Sequence, residues 1–340
     1  MRLDSLRYEL PETAIAQHPI EPRDAARLLV ALADKPVEHR HVLDLADLVG
    51  PGDLLVVNDT RVLPARLHLN KATAGRAEVL LLSPIAQDQS VWEALVRPGK
   101  RLPPGTELFD AHGVAVVTVG EARGAEGCRA VRLHGVTTSD EAEALIGRLG
   151  VMPLPPYIHE PLANADRYQT VFARVPGSVA APTAGLHLTE TVLDGCRAAG
   201  ARVAAVTLDV GLGTFRPMTT DNVADHQMHA ERYAVPDETL DEIASAERVV
   251  AVGTTSLRTL EAWAATGETS GSTDLFIYGQ YEFRVVDRLL TNFHLPGSSL
   301  LALLDSFTRG GWRSLYETAL RDDYRFLSFG DAMLVDRVGP

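Results

Sequence analysis

The sequence is poor in lysine and in cysteine. Its 340 residues include 29 arginines but only three lysines, Lys35, Lys71 and Lys100, so no lysine follows position 100. The later part of the chain therefore has no Schiff-base lysine and no Walker A phosphate loop. Cys128 and Cys196 lie far apart in the sequence and fall in separate predicted domains. Two such cysteines do not indicate a disulfide framework.

Long apolar runs are also missing. No stretch of the sequence approaches the roughly 20 apolar residues that a membrane-spanning helix needs. The first five residues, MRLDS, do not resemble the start of a secretory signal. We therefore expect a cytoplasmic protein that does not bind membranes, and we also expect it to be a monomer.

The sequence also lacks an excess of positive charge. The net charge is −13, which argues against a protein that coats nucleic acid. The charge is uneven, because residues 61–148 carry a net charge of +1 and the remainder carries −14. An RNA would be repelled less by that central region than by the rest of the chain.

The length and the spacing of turn residues predict two domains. Short alternating strands at 66–69, 77–84, 91–97, 114–120 and 128–133 are separated by glycine and proline, which is typical of a small antiparallel barrel. We expect this barrel, residues 62–150, to be inserted into an α/β main domain formed by residues 1–61 and 151–340. Thr138 and Glu141 form a capping box for a helix that closes the insert.

Three polar loops in the main domain contain glycine, and two of them follow short apolar runs at 202–208 and 248–252. The loop APTAGLHLT (181–189) precedes a helix capped by Thr189, DVGLGTFRP (209–217) follows a strand, and GTTS (253–256) links a strand to a helix. Because such loops collect at the carboxyl ends of parallel strands, we expect them to form one site. Strands are also expected at 202–208, 248–252, 273–278 and 281–286.

Two motifs allow other interpretations. His226, His229 and Glu231 could present a metal site if residues 226–229 were helical, but there is no HExxH motif and no second group of ligands. The pair Gly211 and Gly213 follows a strand but lacks the third glycine of a dinucleotide-binding loop. The sequence leaves open a metal-dependent hydrolase and a non-catalytic RNA-binding barrel protein as alternatives to an α/β enzyme.

The sequence resembles the S-adenosylmethionine:tRNA ribosyltransferase-isomerases of queuosine biosynthesis over nearly its whole length. The matching segments are residues 8–11 (YELP), 58–62 (NDTRV), 152–158 (MPLPPYI), 181–187 (APTAGLH), 213–215 (GTF), 228–229 (MH), 253–258 (GTTSLR), 291–296 (TNFHLP) and 328–333 (SFGDAM). Three departures stand out: Asp209 where histidine is usual, Leu188 where phenylalanine is usual, and no Pro-Gly around Gly279 and Gln280.

This resemblance implies a transferase that uses S-adenosylmethionine as co-substrate and no cofactor. It would transfer and isomerise the ribosyl group onto 7-aminomethyl-7-deazaguanine at the wobble position of tRNA, giving epoxyqueuosine, adenine and methionine. The residues predicted to bind substrate are Asn58, Asp59, Arg61, Thr183, Gly185, Gly213, Thr214, His229, Glu231, Thr254, Thr255, Arg258, Asn292 and Asp331. No metal ligands are predicted.

The implied chemistry needs a base, because a proton beside a sulfonium must be removed. Histidine is neutral near pH 7, so His187 and His294 are the candidate catalytic residues, with His187 preferred. Asp59 is expected to be a weaker base because its neighbour Arg61 would hold it in an ion pair. Because Asp209 stands where the family usually has histidine, an essential role for a histidine at that position is in doubt.

Overall fold

The computed structural model describes residues 1–33, 35–123, 127–211 and 217–339. The chain divides into two units. The first comprises Met1–Arg61, Pro155–Val175 and Ala181–Pro340, and the second comprises Val62–Leu154 and Pro176–Ala180. The sequence placed the second boundary at 150/151 and assigned residues 176–180 to the main domain.

Strands and helices alternate along the first unit and strands dominate the second. In chain order the strands are β1 (Arg27–Ala31), β2 (Glu38–His41), β3 (Asp53–Asn58), β4 (Thr60–Val62), β5 (Arg66–Lys71), β6 (Arg76–Pro84), β7 (Val91–Arg97), β8 (Glu107–Phe109), β9 (Ala115–Ala122), β10 (Cys128–Leu133), β11 (Gly150–Val151), β12 (Val175–Ser178), β13 (Arg202–Leu208), β14 (Glu231–Ala234), β15 (Arg248–Val252), β16 (Ser270–Thr273), β17 (Arg288–Asn292) and β18 (Ala332–Asp336). The α-helices are α1 (Ser139–Leu149), α2 (Glu190–Ala198), α3 (Asp237–Ala244), α4 (Thr254–Thr266), α5 (Ser299–Thr308) and α6 (Trp312–Arg321). Short 3-10 helices cover Leu3–Leu6, Glu12–Ala14, Arg23–Ala25, Val42–Leu48, Gly99–Arg101, Ala165–Tyr168, Thr183–His187 and Val223–Asp225.

A nine-stranded mixed sheet organises the first unit. Its strand order is β16-β14-β13-β3-β15-β17-β18-β1-β2. The four strands β13, β3, β15 and β17 are mutually parallel, whereas β18 runs antiparallel to β17 and parallel to β1. The carboxyl ends of those four strands and the amino ends of β18 and β1 therefore lie along the same edge.

The centre of this sheet is covered on both faces. All six residues of β3, DLLVVN, are buried, as expected for a parallel strand inside an α/β layer. Leu55, Val250 and Leu334 on one face pack with Leu193 of α2 and Leu45 of the short helix before β3. The alternate strand residues, including Leu54, Val56 and Leu289, are buried as well.

The second unit is an antiparallel barrel. Strands β5, β6, β7, β10, β9 and β8 pair in that order, and a further pairing of β5 with β8 closes the sheet. The predicted α/β fold with a β-barrel is confirmed. The sequence missed β8 and β11, which have three and two residues.

Helix starts follow local sequence closely. The hydroxyl oxygens of Thr138 and Thr189 accept backbone N–H groups at the first turns of α1 and α2, as predicted, and the hydroxyl of Ser298 does the same for α5. The longest α-helix, α4, has 13 residues. Across the described parts of the chain, none of the helices combines the length and apolar character needed to cross a membrane.

The strands predicted at 273–278 and 281–286 are wrong, apart from Thr273 at the end of β16. This segment is irregular because a buried side chain replaces a neighbouring strand as hydrogen-bond acceptor. The carboxylate of Glu261, on α4, accepts the N–H groups of Arg284 (2.9 Å), Val285 (3.0 Å) and Val286 (3.1 Å). These bonds satisfy buried backbone donors without a ladder.

Candidate active site

Two adjoining cavities open at the edge where the four parallel strands end. Each has a volume of about 30 Å³. Thr183, Asn292, His294 and Leu300 line both of them. The first is completed by Tyr157, Leu295, Ser298, Leu327 and Ser328, and the second by Ala181, Pro182, Ala184, Val210, Gly253, Thr254, Thr255 and Thr291. We call the two together the cleft.

Asn292, the last residue of β17, links the cleft to the residues behind it. Its Oδ1 accepts a hydrogen bond from the Thr183 hydroxyl at 2.8 Å. Its Nδ2 lies 3.0 Å from Nε2 of His187 and 3.4 Å from the backbone oxygen of Asp331. Because Nδ2 can only donate, Nε2 of His187 accepts, and the proton of the neutral ring is on Nδ1. His187 therefore supports Asn292 rather than lining the cleft.

The two histidines are fully buried and neutral. Burial lowers the pKa of His187 to about 4, and the positive charges of Arg325, Arg167 and Arg23 add to this effect. Burial lowers the pKa of His294 to about 3. Since histidine ordinarily has a pKa near 6.5, both rings are uncharged throughout the neutral range.

These pKa values predict a loss of stability in mild acid. In the unfolded chain both rings take up protons below about pH 6.5, whereas folded His187 does so only near pH 4. The contribution of His187 is thus present above pH 6.5 and lost as the pH falls towards 4. At pH 5 the loss is roughly 2 kcal/mol relative to pH 7.5. Urea denaturation at both pH values measures it.

His187→Gln should therefore reduce the difference in unfolding free energy between pH 7.5 and pH 5 by about 2 kcal/mol. The exposed residue His159 provides the matched control, since His159→Gln should change that difference much less. An identical pH dependence in wild type and His187→Gln would contradict a neutral, buried His187.

The backbone of His294 is held from two sides. The Tyr8 hydroxyl donates to its carbonyl oxygen at 2.5 Å, and its N–H donates to the Tyr316 hydroxyl at 2.7 Å. Its Nε2 lies 3.0 Å from the Thr291 hydroxyl. These contacts fix the position of the imidazole at the cleft wall.

Several lining residues were not predicted as site residues. Tyr157 and Ser328 line the cleft and are joined by a 2.7 Å hydrogen bond between their hydroxyls. Tyr8 holds His294 from behind. All three belong to segments that carried the family resemblance, so a closer reading of those motifs could have selected them.

The Asn58 and Asp59 side chains are occupied by protein partners. Asn58 exchanges two 3.1 Å hydrogen bonds with the backbone of Leu208 and so ties β3 to β13. Asp59 accepts from Thr207 at 2.7 Å and forms an ion pair with Arg174 at 2.8 Å. The expected ion pair of Asp59 with Arg61 is wrong, because Arg174 takes that place.

The side chain of Arg61 is exposed, and none of Asn58, Asp59 and Arg61 is among the described residues that line the cleft. Asp331 is buried, which raises the pKa of its carboxyl group. That carboxylate accepts the backbone N–H groups of Arg27 and Arg325, both at 2.8 Å. It therefore fixes the start of β18 rather than facing the cleft.

Arg258 and Glu231 form a buried ion pair, with 9% and 7% of their side chains exposed. The second carboxylate oxygen of Glu231 accepts the N–H of Gly211 at 2.7 Å. Arg258 also donates to the backbone oxygens of Leu275 (2.9 Å) and Thr273 (3.0 Å). The pair thus ties α4 to β14, to the segment after β16 and to the loop that begins at Gly211.

The proposed metal ligands do not form a metal cluster. Residues 226–230 are not helical, so His226 and His229 do not share a helix face. His226 packs against the ring of Phe276, and burial lowers its pKa. The His229 backbone oxygen lies 3.5 Å from Arg258. Within residues 1–33, 35–123, 127–211 and 217–339, no three His, Cys, Asp or Glu side chains are grouped for a metal.

Gly185 serves packing in this structure. It lies in the short helix Thr183–His187, and a Cβ there would approach Cζ of Phe172 to 2.7 Å and Cγ2 of Thr170 to 3.0 Å. Gly185 is helical, and its lack of a side chain makes room for Phe172. The predicted residues Gly213 and Thr214 lie outside the described residues.

Comparison with known proteins identifies the family of this chain. A family profile described as "Queuosine biosynthesis protein" matches residues 3–335. A protein of Rubrobacter xylanophilus named S-adenosylmethionine:tRNA ribosyltransferase-isomerase is 51% identical over 338 residues, covering 98% of both chains. A Moorella thermoacetica protein of the same name is 49% identical over 347 residues, covering 98% of this chain and 100% of that one.

A solved structure has the same fold. The crystal structure of S-adenosylmethionine tRNA ribosyltransferase from Thermotoga maritima aligns with a TM-score of 0.54 and 34% identity, covering 97% of this chain and 99% of that chain. Neither alternative, the metal-dependent hydrolase or the non-catalytic RNA-binding barrel protein, is supported by these relatives. The chain belongs to the family of queuosine biosynthesis proteins that includes the S-adenosylmethionine:tRNA ribosyltransferase-isomerases.

Proposed function

We propose that this protein transfers and isomerises the ribosyl group of S-adenosylmethionine onto 7-aminomethyl-7-deazaguanine at the wobble position of tRNA. The product is epoxyqueuosine, and adenine and methionine are released. The observation that carries the proposal is the convergence of the motif segments at 181–187, 253–258 and 291–296 on one cleft. S-adenosylmethionine is the co-substrate and the modified tRNA is the acceptor.

The character of the cleft suits a donor that brings its own positive charge. Of the described residues that line it, none is charged at neutral pH, since His294 is held neutral by burial. A sulfonium entering this space is not repelled by lysine or arginine. Hydroxyl, amide and imidazole groups remain available to hydrogen-bond the ribose and the amino-acid part of the donor.

We assign proton removal to His294 rather than to His187. His294 lines both cavities, whereas His187 lies behind Asn292 and lines neither of them. The proton beside the sulfonium passes to the neutral ring of His294, and the C–N bond to adenine breaks. The protonated ring of His294 can then give this proton to the leaving adenine. The amine of the modified base then forms a C–N bond to a ribosyl carbon and loses a proton, and cleavage of the C–S bond releases methionine as the ribosyl carbons rearrange into the epoxide-bearing ring of the product.

Asn292 has a positioning role in this scheme. Thr183 and His187 fix its carboxamide from opposite ends, which leaves one lone pair of Oδ1 without a partner among the described residues. This oxygen is available to accept a hydrogen bond from the attacking amine or from a ribose hydroxyl. Because its orientation is fixed before substrate binds, no reorganisation is needed during the reaction.

Adenine release tests the proposed function directly. Incubation of the full-length protein with S-adenosylmethionine and tRNA carrying 7-aminomethyl-7-deazaguanine should release adenine and methionine. The same tRNA with unmodified guanine at the wobble position is the matched control and should release neither. Chromatography measures adenine. Absence of adenine above that control, with the precursor base verified in the tRNA, would overturn the assignment.

A further inference from the structure

The first turn of α4 presents hydrogen-bond donors that no described residue uses. The first backbone bond of the helix is from the N–H of Leu257 to the carbonyl of Gly253, so the N–H groups of Thr254, Thr255 and Ser256 have no acceptor in the described structure. The N-cap is Gly253, which has no side chain to cap them. These donors carry the positive end of the helix dipole.

Two threonine hydroxyls accompany these N–H groups. Thr254 is only 7% exposed, lines the cleft, and makes no side-chain hydrogen bond to any described residue. The hydroxyl oxygen of Thr255 is buried and also has no partner among the described residues. Buried polar groups without partners are uncommon in folded proteins because each costs about 1–3 kcal/mol. The arrangement therefore indicates a ligand that accepts hydrogen bonds.

The space beside these donors is small. The cavity between Gly253, Thr254 and Pro182 has a volume of about 30 Å³, room for about two water-sized groups. A carboxylate has two oxygens and accepts hydrogen bonds without donating any, which matches both the volume and the donors. An ammonium group is a donor and does not match, and a phosphate has three terminal oxygens.

We propose that the first turn of α4 binds the carboxylate of the methionyl group of S-adenosylmethionine. This inference rests on the proposed function and adds the orientation in which S-adenosylmethionine binds. The methionyl end lies at Thr254 and Thr255, and the ribose and adenine extend outward past Tyr157 and Ser328, because the second cavity is also only about 30 Å³. The sulfonium and its neighbouring carbon then lie at the boundary of the two cavities, beside His294.

Decarboxylated S-adenosylmethionine is the probe for this site, because it keeps the sulfonium and lacks the carboxylate. Calorimetric titration of the full-length wild type should show binding of S-adenosylmethionine at least about tenfold tighter than binding of the decarboxylated compound. Thr254→Val and Thr255→Val should each weaken S-adenosylmethionine by about tenfold and change the decarboxylated compound less than about twofold. Thr266→Val, at the other end of α4, is the matched control and should change neither.

The outcomes separate this inference from the proposed function. A wild type that releases adenine with precursor tRNA but binds both compounds equally overturns the inference alone. Variants that weaken both compounds to the same extent also overturn it, because the hydroxyls then do not contact the carboxylate. If the threonine variants lose affinity for tRNA but keep their affinity for S-adenosylmethionine, the site binds a phosphate of the tRNA instead, which also overturns the inference. A wild type that binds neither compound and releases no adenine overturns both proposals.

Discussion

His294→Gln is expected to lower kcat by about a hundredfold or more while the protein stays folded. Glutamine is similar in size and can keep the hydrogen bond to Thr291, but it cannot take up the proton. Removing a positioned general base costs about 10²–10⁴-fold in rate. Adenine release with saturating S-adenosylmethionine and precursor tRNA measures kcat. Exchange of the 5′ protons of S-adenosylmethionine with deuterated water, where the wild type shows it, should stop.

His187→Gln is the comparison that separates the two histidines. A glutamine oxygen can accept the hydrogen bond from Asn292, so kcat should fall by less than about tenfold, whereas His187→Ala should cost more because Asn292 loses this support. If His294→Gln keeps more than a tenth of the wild-type kcat, His294 lowers the activation free energy by less than about 1.4 kcal/mol. Together with a hundredfold loss in His187→Gln, that result would return the role of base to His187.

Arg258→Met is expected to lower the free energy of unfolding by about 3–5 kcal/mol. Methionine replaces part of the volume but removes the guanidinium that pairs with the buried carboxylate of Glu231. Three backbone oxygens near Arg258 also lose a donor. Urea denaturation followed by circular dichroism at pH 7.5 measures the change.

Arg232→Met provides a matched control for this loss. Arg232 also pairs with a carboxylate, that of Asp209 at 2.8 Å, but its side chain is 61% exposed. Exposed ion pairs contribute about 1 kcal/mol or less. Adding Glu231→Gln to Arg258→Met should recover part of the stability, because the buried carboxylate charge that Arg258 pairs with is removed as well. A single Arg258→Met variant within about 1 kcal/mol of wild type would rule out a strong buried pair.

The parts of the fold that depend on neighbouring residues could be predicted from the sequence. The caps at Thr138, Thr189 and Ser298 each bind an N–H three residues on, so local spacing was sufficient to find them. The edge of the sheet was also predictable, because an apolar run followed by polar residues signals the end of a buried strand.

The arrangement within the site depends on contacts between distant residues. His187 meets Asn292 across 105 positions, and Asp59 meets Arg174 across 115. Local sequence patterns carry no information about contacts over such distances in the chain. The sequence therefore could not show that His187 lies behind Asn292, nor that His294 is the better candidate for the base. The irregular segment after β16 was missed for the same reason, because its aromatic residues favour strands while its hydrogen bonds go to Glu261.

The position of β18 affects how this protein is completed during synthesis. β18 is the last strand in the sequence, yet it lies between β17 and β1 and pairs with both. A nascent chain that has been synthesised through β17 but not through β18 therefore exposes the edges of β17 and β1. No hydrogen bonds join these two strands directly. This gap is filled only once β18 has left the ribosome, and until then both edges can pair with other chains. A premature stop just before Ala332 should thus give aggregated protein rather than a slightly weakened enzyme.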